Sequence, residues 1–252
     1  MPIKIDIIIL SFAKNEALKN LTIQTIDTVL ASEDANEIVF NVLVIESNKA
    51  LQPFQFENST TIYPEEEFGF NKYLNIGINA TNNNYICLCN NDLIFHKGWA
   101  TELLKTVADV NYKHLVLSPF DDAQHRNFTT LTEPTEGYFE YFAGYCFFTN
   151  RETLKLTGPL DEKINFWYAD MDFLELMDHH HIKHYLVPRS KVSHLTSMVT
   201  RDFSDMEKLK YTYYPSIYYR LKWKDKSRLL YVKRMLFYWF QYAILCLKKL
   251  WK

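Results

Sequence analysis

The chain has 252 residues, a hydrophobic fraction of 48% and a formal net charge of −2. That length suffices for one sizeable α/β core, or for a core with a small appendage, and the near-neutral balance excludes a partner chosen by overall charge. The charge is unevenly placed: residues 222 to 252 carry nine Lys/Arg against one acid, Asp225, a local +8 that leaves −10 on the rest, so a basic tail follows an acidic body.

In chain order, "IKIDIIIL" (3–10) is a β-branched, nearly continuous apolar run, the pattern of a strand covered on both faces. The loop "SFAKNE" follows, then helical spacing over 17–32. "VFNVLVIES" (39–47) reads as a second buried strand and "TTIYP" (60–64) as a short third. A helix over 69–81 precedes "NYICLCNND", a buried strand that stops on two amides and an acid. A helix over 98–109 and a strand over 114–120 complete the first half. This alternation predicts an α/β fold: a doubly wound, mostly parallel sheet with helices on both faces. Ligands of such sheets bind beyond the carboxyl ends of the strands. Three strand ends, Ser11 to Ala13, Glu46 to Asn48, and Asn90 to Asp92, therefore point at one crevice. Neither GxGxxG nor GxxxxGK[ST] occurs, so a nicotinamide fold and a phosphate-cradling glycine loop have no support.

In the second half, "YFEYFAGYCFFTNRETLKLTG" (138–158) holds a strand, a mid-strand glycine and a short helix. "PLDEKINFWYADMDFLELMDHHH" sets acids at the start of a helix, and "HYLVPRSKVSHLTS" is a last strand leading to His194. A boundary falls between Thr200 and Asp205, dividing residues 1–205 from a helical extension over 206–252. The four cysteines (87, 89, 146 and 246) show no zinc spacing, and Cys87 and Cys89 share a strand face, which suits buried thiols in a reducing compartment. Residues 1 to 10 run directly into a strand pattern with no leader, and a cytoplasmic location is expected.

These motifs, in this order, resemble nucleotide-sugar glycosyltransferases of the GT-A fold, most closely the family-2 type, over residues 3–197. The parts carrying the resemblance are "LSFAKNE", "VIES", "NKYLNIGINAT", "CNND", "AGYCFF", "GPLDE", "WYADMDF" and the late His in "KVSHLTS". The resemblance implies transfer of a sugar from a nucleoside diphosphate, UDP first among them, to an acceptor hydroxyl with inversion. It also implies a divalent ion, Mn²⁺ or Mg²⁺, held by Asp92 and His194. The family's Asp-x-Asp is Asn90-Asn91-Asp92 here, which leaves one carboxylate, and an imidazole beside it favours Mn²⁺. Nucleotide contacts are implied at Ser11, Ala13, Glu46, Asn75, Asn90 and Asn91, with Asn71 and Lys72 as weaker candidates. Gly144 would admit the donor sugar close to the backbone.

The general base is implied in "WYADMDF", with Asp170 in that role and Asp172 as the following acid; acids in a first helical turn are favoured by the helix dipole. Phe166, Trp167 and Tyr168 form either a stacking wall for the acceptor or a core cluster, and Asp161 is either structural or on the acceptor side. The run of His179, His180, His181 and His184 is read as the closing turn of a helix rather than a metal site.

In the extension, Met235 to Leu247 contains one polar residue, Gln241. It is flanked by Lys233, Arg234, Lys248 and Lys249, and carries Phe237, Tyr238, Trp239 and Tyr242. The stretch is too short for a comfortable bilayer span and reads as a helix lying on an anionic leaflet, or as one docked on the body or in an oligomer interface. Three functions remain open: a peripheral enzyme on the inner face of the plasma membrane that builds surface polysaccharide or lipid-linked glycan, a transferase acting on phage DNA bases through the basic tail, and a catalytically inactive sugar-binding scaffold.

Overall fold

A computed structural model of the chain describes residues 1–195 and 204–250. The strands are β1 (Ile3–Ser11), β2 (Ile38–Glu46), β3 (Thr60–Ile62), β4 (Tyr85–Asn90), β5 (Leu93–Phe95), β6 (Leu115–Phe120), β7 (Thr135–Glu136), β8 (Cys146–Asn150) and β9 (Lys183–His194). The helices of the body are α1 (Glu16–Ala31), α2 (Phe70–Ala80), α3 (Trp99–Val110), α4 (Arg151–Thr157) and α5 (Ala169–His179). The sheet runs β3-β2-β1-β4-β8-β6-β9-β5, with β7 on β9.

Alternation along β1 explains the two layers of helices, because successive side chains point to opposite faces. Ile5, Ile7 and Ile9 bury against Ile26 and Val29 of α1 and Trp99 and Leu103 of α3. Ile8 and Leu10 bury against Tyr73 and Leu74 of α2 and Phe173, Leu174 and Met177 of α5. At Gly77 of α2 a Cβ would stand 2.6 Å from Ile8 Cγ2, so glycine lets this helix lie close on the strand. Asp6 of β1 is a fully buried acid, which Arg151 neutralises and Asn41 and Asn83 bond.

The α/β sheet with helices on both faces is present. Its pairing is parallel only through β3-β2-β1-β4 and again in β6-β9; β8 enters between β4 and β6 antiparallel to both. Periodicity marks 114–120 as a buried strand but does not say which strand it pairs with. The five residues of β8 are all buried, so it fits the sheet's centre.

The extension is helical. Ser204 and Glu207 form a reciprocal cap at the start of α6 (Asp205–Lys208). A helical run continues from there through α7 (Tyr214–Tyr219) to Lys224, with π-turns over Leu209–Tyr213 and Arg220–Lys224. This run lies on the body: the Trp167 amide donates to the Tyr211 carbonyl at 3.1 Å, and the Tyr219 hydroxyl donates to Glu175 at 2.7 Å. The last helix, α8 (Arg228–Leu250), packs one edge on the run through Tyr213–Phe237 and Tyr214–Tyr238. Its Leu229, Leu236, Trp239, Phe240 and Leu247 remain exposed. No described helix is long and apolar enough to cross a membrane. Thr200, at the expected boundary, lies outside the described residues.

Candidate active site

Strand register builds the crevice. Ser11 pairs with Glu46, and Leu10 with Asn90, so three strands end level with one another. Glu46 is fully buried there. Its carboxylate accepts from the Ser11 hydroxyl at 2.6 Å, from the Ala13 amide at 3.1 Å and from the Asn48 amide at 2.6 Å. The Asn48 side-chain amide returns to the Ala13 carbonyl at 2.8 Å. Glu46 therefore fixes the loop after β1 with the carboxylate that the resemblance aims at the nucleoside. Ser11 also meets Thr22 of α1 at 2.9 Å.

Thr22 in turn accepts from the Asn91 side chain at 2.8 Å, while the Thr25 hydroxyl bonds the Asn91 carbonyl at 2.9 Å. Hydroxyls on one face of α1 thus hold the segment after β4. Asn90 stays on the crevice wall, its amide donating to the Tyr145 carbonyl at 2.8 Å.

Asp92 and His194 meet because β5 pairs antiparallel with the end of β9, placing Leu93 opposite His194. Asp92 Oδ1 and His194 Nε2 are 3.2 Å apart, both buried and both without a hydrogen-bond partner. The two atoms face each other at ion-pair distance with no hydrogen bond on either, and a buried carboxylate oxygen beside an imidazole nitrogen so left suits a divalent cation. Among the described residues no set of three or more His, Cys, Asp or Glu forms a metal cluster; the remaining positions on an ion would fall to ligand oxygens and water. The His194 ring stacks on Tyr145 at 4.2 Å between centroids, and its backbone amide donates to Asp121 Oδ2 at 2.7 Å. Asp121 is buried, and its other oxygen caps the amides of Ala123 and Gln124. The sequence reading missed Asp121, although an acid directly after the apolar run "HLVLSPF" is the same signal that marked Asp92.

Across the crevice stands the first turn of α5. Tyr168, with φ 71°, turns the chain into the helix. Asp170 is exposed, has no cationic partner among the described residues, and lines the cavity with Asn90, Gly144, Tyr145, Trp167 and His194. Gly144 makes its position accessible: a Cβ there would stand 2.6 Å from Asp170 Cβ. Asp172 differs in kind. It is 1% exposed, paired with Lys222 Nζ at 2.8 Å, and accepts from Trp223 Nε1 at 2.6 Å. Burial raises its pKa despite those two partners.

Asp161 also faces the extension, accepting from Lys222 and from the Tyr218 hydroxyl, both at 3.0 Å. Burial acts to raise its pKa, but Lys222, the Lys163 amide and Tyr218 together hold it below the usual value.

The structure thus brings Ser11, Asn90, Asn91, Asp92, Gly144, Asp170 and His194 to adjoining cavities of ≈ 280 and ≈ 100 Å³ that share Phe70, Asn90 and Phe166. Trp167, 49% exposed, stands at the rim, while Phe166 joins an aromatic cluster with Phe68, Phe70 and Tyr211 and Tyr168 packs on Tyr219. Asn75 lies elsewhere, its side chain bonding both backbone groups of Leu160 and Glu162; Asn71 holds the Asp161 carbonyl. Lys72 bonds the Glu67 carbonyl at 3.4 Å. His179 ends α5, His180 caps it and His181 turns at φ 54°. His184 is buried between Ser118 and the Gly137 carbonyl, and burial pushes its pKa down to about 4.

The family model described as "Glycosyl transferase family 2" matches residues 8–160. No curated protein sequence matches the chain significantly. Among solved structures, GalNAc-T7 with UDP, GalNAc and Mn²⁺ superposes with a TM-score of 0.65 at 13% identity, covering 91% of this chain and 53% of that one, so the chain spans about half the length of that neighbour. The catalytic domain of Drosophila β1,4-galactosyltransferase 7 with xylobiose superposes at 0.52, with 13% identity, over 81% of this chain and 75% of its own. A mutant of that Drosophila enzyme with manganese, UDP-Gal and xylobiose superposes at 0.50, with 13% identity, over 79% and 74%. At such identity these likenesses show the GT-A fold.

Proposed function

Given that the chain belongs to glycosyl transferase family 2, we propose that it is a nucleotide-sugar-dependent enzyme that moves a sugar from UDP to an acceptor hydroxyl by a single, inverting displacement. The observation that carries this reading is the Asp92–His194 pair, 3.2 Å apart with no hydrogen-bond partner on either atom, His194 lining the same cavity as Asp170 and Asp92 the adjoining one. Neighbours of the same fold carry UDP, GalNAc and Mn²⁺ in one case and manganese, UDP-Gal and xylobiose in another.

In this mechanism Asp92 and His194 would hold Mn²⁺, or less favourably Mg²⁺. When bound, the ion supplies positive charge to the diphosphate oxygens of the leaving group. The loop from Ser11 to Ala13, held by Glu46, forms the floor for the nucleoside with Phe12 and Ser47. Asp170 takes the proton from the acceptor hydroxyl at a carboxylate oxygen as that hydroxyl attacks. Trp167 at the rim offers a flat apolar face to an acceptor sugar.

The exposed apolar side chains of α8, with Lys233, Arg234 and Lys248 beside them, support a peripheral site on an anionic membrane and hence an acceptor in surface polysaccharide or lipid-linked glycan assembly.

The test is turnover of a panel of UDP-sugars with and without Mn²⁺, in the wild-type chain and in Asp92→Ala. Metal-dependent release of UDP that Asp92→Ala abolishes supports the reading; equal release in both removes it. Co-sedimentation with anionic liposomes supports the membrane assignment. Retention on DNA, weakening steeply with salt, would instead move the acceptor to nucleic acid.

A further inference from the structure

We infer that Lys222, with Trp223 beside it, is a positioning residue for the Asp170 carboxylate, contributed by the extension beyond the family match; the inference rests on Asp170 acting as the base. Lys222 Nζ lies between two acids, 2.8 Å from Asp172 on the first turn of α5 and 3.0 Å from Asp161 in the turn before it. Trp223 Nε1 donates to Asp172 at 2.6 Å, and the Tyr218 hydroxyl reaches Asp161 at 3.0 Å. Upstream, the Trp167 amide is tied to the Tyr211 carbonyl at 3.1 Å. Ties from the extension therefore bracket Asp170 on both sides, at Trp167 and at Asp172.

Asp170 itself has no cation among the described residues; its Oδ1 accepts from the Met171 amide at 2.8 Å, and its Cβ lies against Gly144. What fixes it is the turn that carries it, and that turn is anchored through Asp172. An apolar side chain at position 172 would hold the helix down without a buried charge. A carboxylate clamped by a cation and an indole N–H adds direction, because charge-assisted hydrogen bonds resist rotation of the turn as well as separation. Without Lys222, Asp172 would be a buried carboxylate with no countercharge. It would take up a proton or turn toward water, and the first turn of α5 would move with it. The ion and nucleotide residues Asp92, His194 and Glu46 stand on other elements and would not follow.

The experiment uses the full chain as wild type, Lys222→Met, Lys222→Arg, Trp223→Phe and, as a reference, Asp170→Asn. Three readouts are taken: kcat and KM for UDP-sugar turnover with Mn²⁺, its pH profile, and deuterium exchange of the peptide covering residues 166–174. Lys222→Met is expected to lower kcat by about 10²-fold, change the pH profile, leave the donor KM near wild type and speed exchange in the first turn of α5. Lys222→Arg should restore kcat, the pH profile and the slow exchange, and Trp223→Phe should show a smaller loss of the same kind. Should Lys222→Met fail to fold, Trp223→Phe carries the test. Wild-type kcat and wild-type exchange in whichever variants fold, or a loss confined to KM or to melting temperature, would overturn the inference. Full turnover in Asp170→Asn would remove the base assignment instead, and the exchange result stands whichever way that falls.

Discussion

Gly144 is the surface on which Asp170 rests: a Cβ added to the glycine would lie 2.6 Å from the Cβ of the acid. Because Asp170 is backbone-anchored at that atom, it cannot yield by turning a side chain. Gly144→Ala should push α5 outward, cost about 1–3 kcal/mol of stability and lower turnover by about 10²-fold, while UDP–Mn²⁺ affinity stays near wild type. Steady-state kinetics beside a UDP titration checks this. Normal turnover would mean that Asp170 has slack, and with it no catalytic need for its present place.

Asp121 should matter to the ion without touching it. It holds the His194 backbone amide at 2.7 Å and so sets where the imidazole points. Asp121→Asn is expected to weaken Mn²⁺ binding in the presence of UDP by about 10- to 100-fold; Asp92→Asn should weaken it at least as much. Calorimetric titration with Mn²⁺ decides. An unaltered affinity in Asp92→Asn would sink the metal assignment as a whole, whereas one in Asp121→Asn would relieve only that residue.

Glu46 is fully buried and accepts from three donors. Gln at this position must turn an NH₂ toward at least one of them. Glu46→Gln should therefore lose about 1–3 kcal/mol of stability and bind UDP more weakly, because the loop from Ser11 to Ala13 loses its anchor. Urea denaturation and a UDP titration measure the two effects. A stable variant with poor UDP affinity would show that the acid contacts the nucleoside itself.

Asp6 supplies a pH signature. Burial acts to raise its pKa, but bonds from Asn41, Arg151 and Asn83 outweigh burial and hold the carboxyl below its ordinary value of 3.8. A depressed carboxyl stabilises the fold above the unfolded pKa, and that contribution fades as pH falls through the folded value. At neutral pH, Asp6→Asn should cost about 3 kcal/mol, since it leaves the Arg151 charge half buried. The gap to wild type should shrink as the pH is taken below 3.8. Denaturant melts from neutral to acid pH test the trend, and a constant gap would refute it.

The rim of the crevice was legible because strand ends, in a covered sheet, are forced to one edge. Ser11, Glu46 and Asp92 needed only the apolar runs before them. What those residues bond to was not legible: Glu46 turned inward to its own loop, and Asn75 bonded the Leu160 turn. Register decides such partners, and periodicity does not carry register. The wall formed by α5 was read only in part. Asp170 and Asp172 are two residues apart on one turn, yet one faces the cavity and the other Lys222. That difference depends on a helical run some fifty positions downstream, whose docking face is set by tertiary packing. Asp121 was readable and overlooked; Lys222 was not readable.

Asp92 and His194 come from opposite halves of the chain and meet only where β5 joins β9. If this pair holds the proposed ion, a ribosome-bound chain that has not yet released His194 would have no place for it, and neither would a partly folded one. Manganese should accordingly report completion: its uptake in refolding would follow the last strand's arrival, and a nascent enzyme would stay silent toward its donor until the sheet has closed.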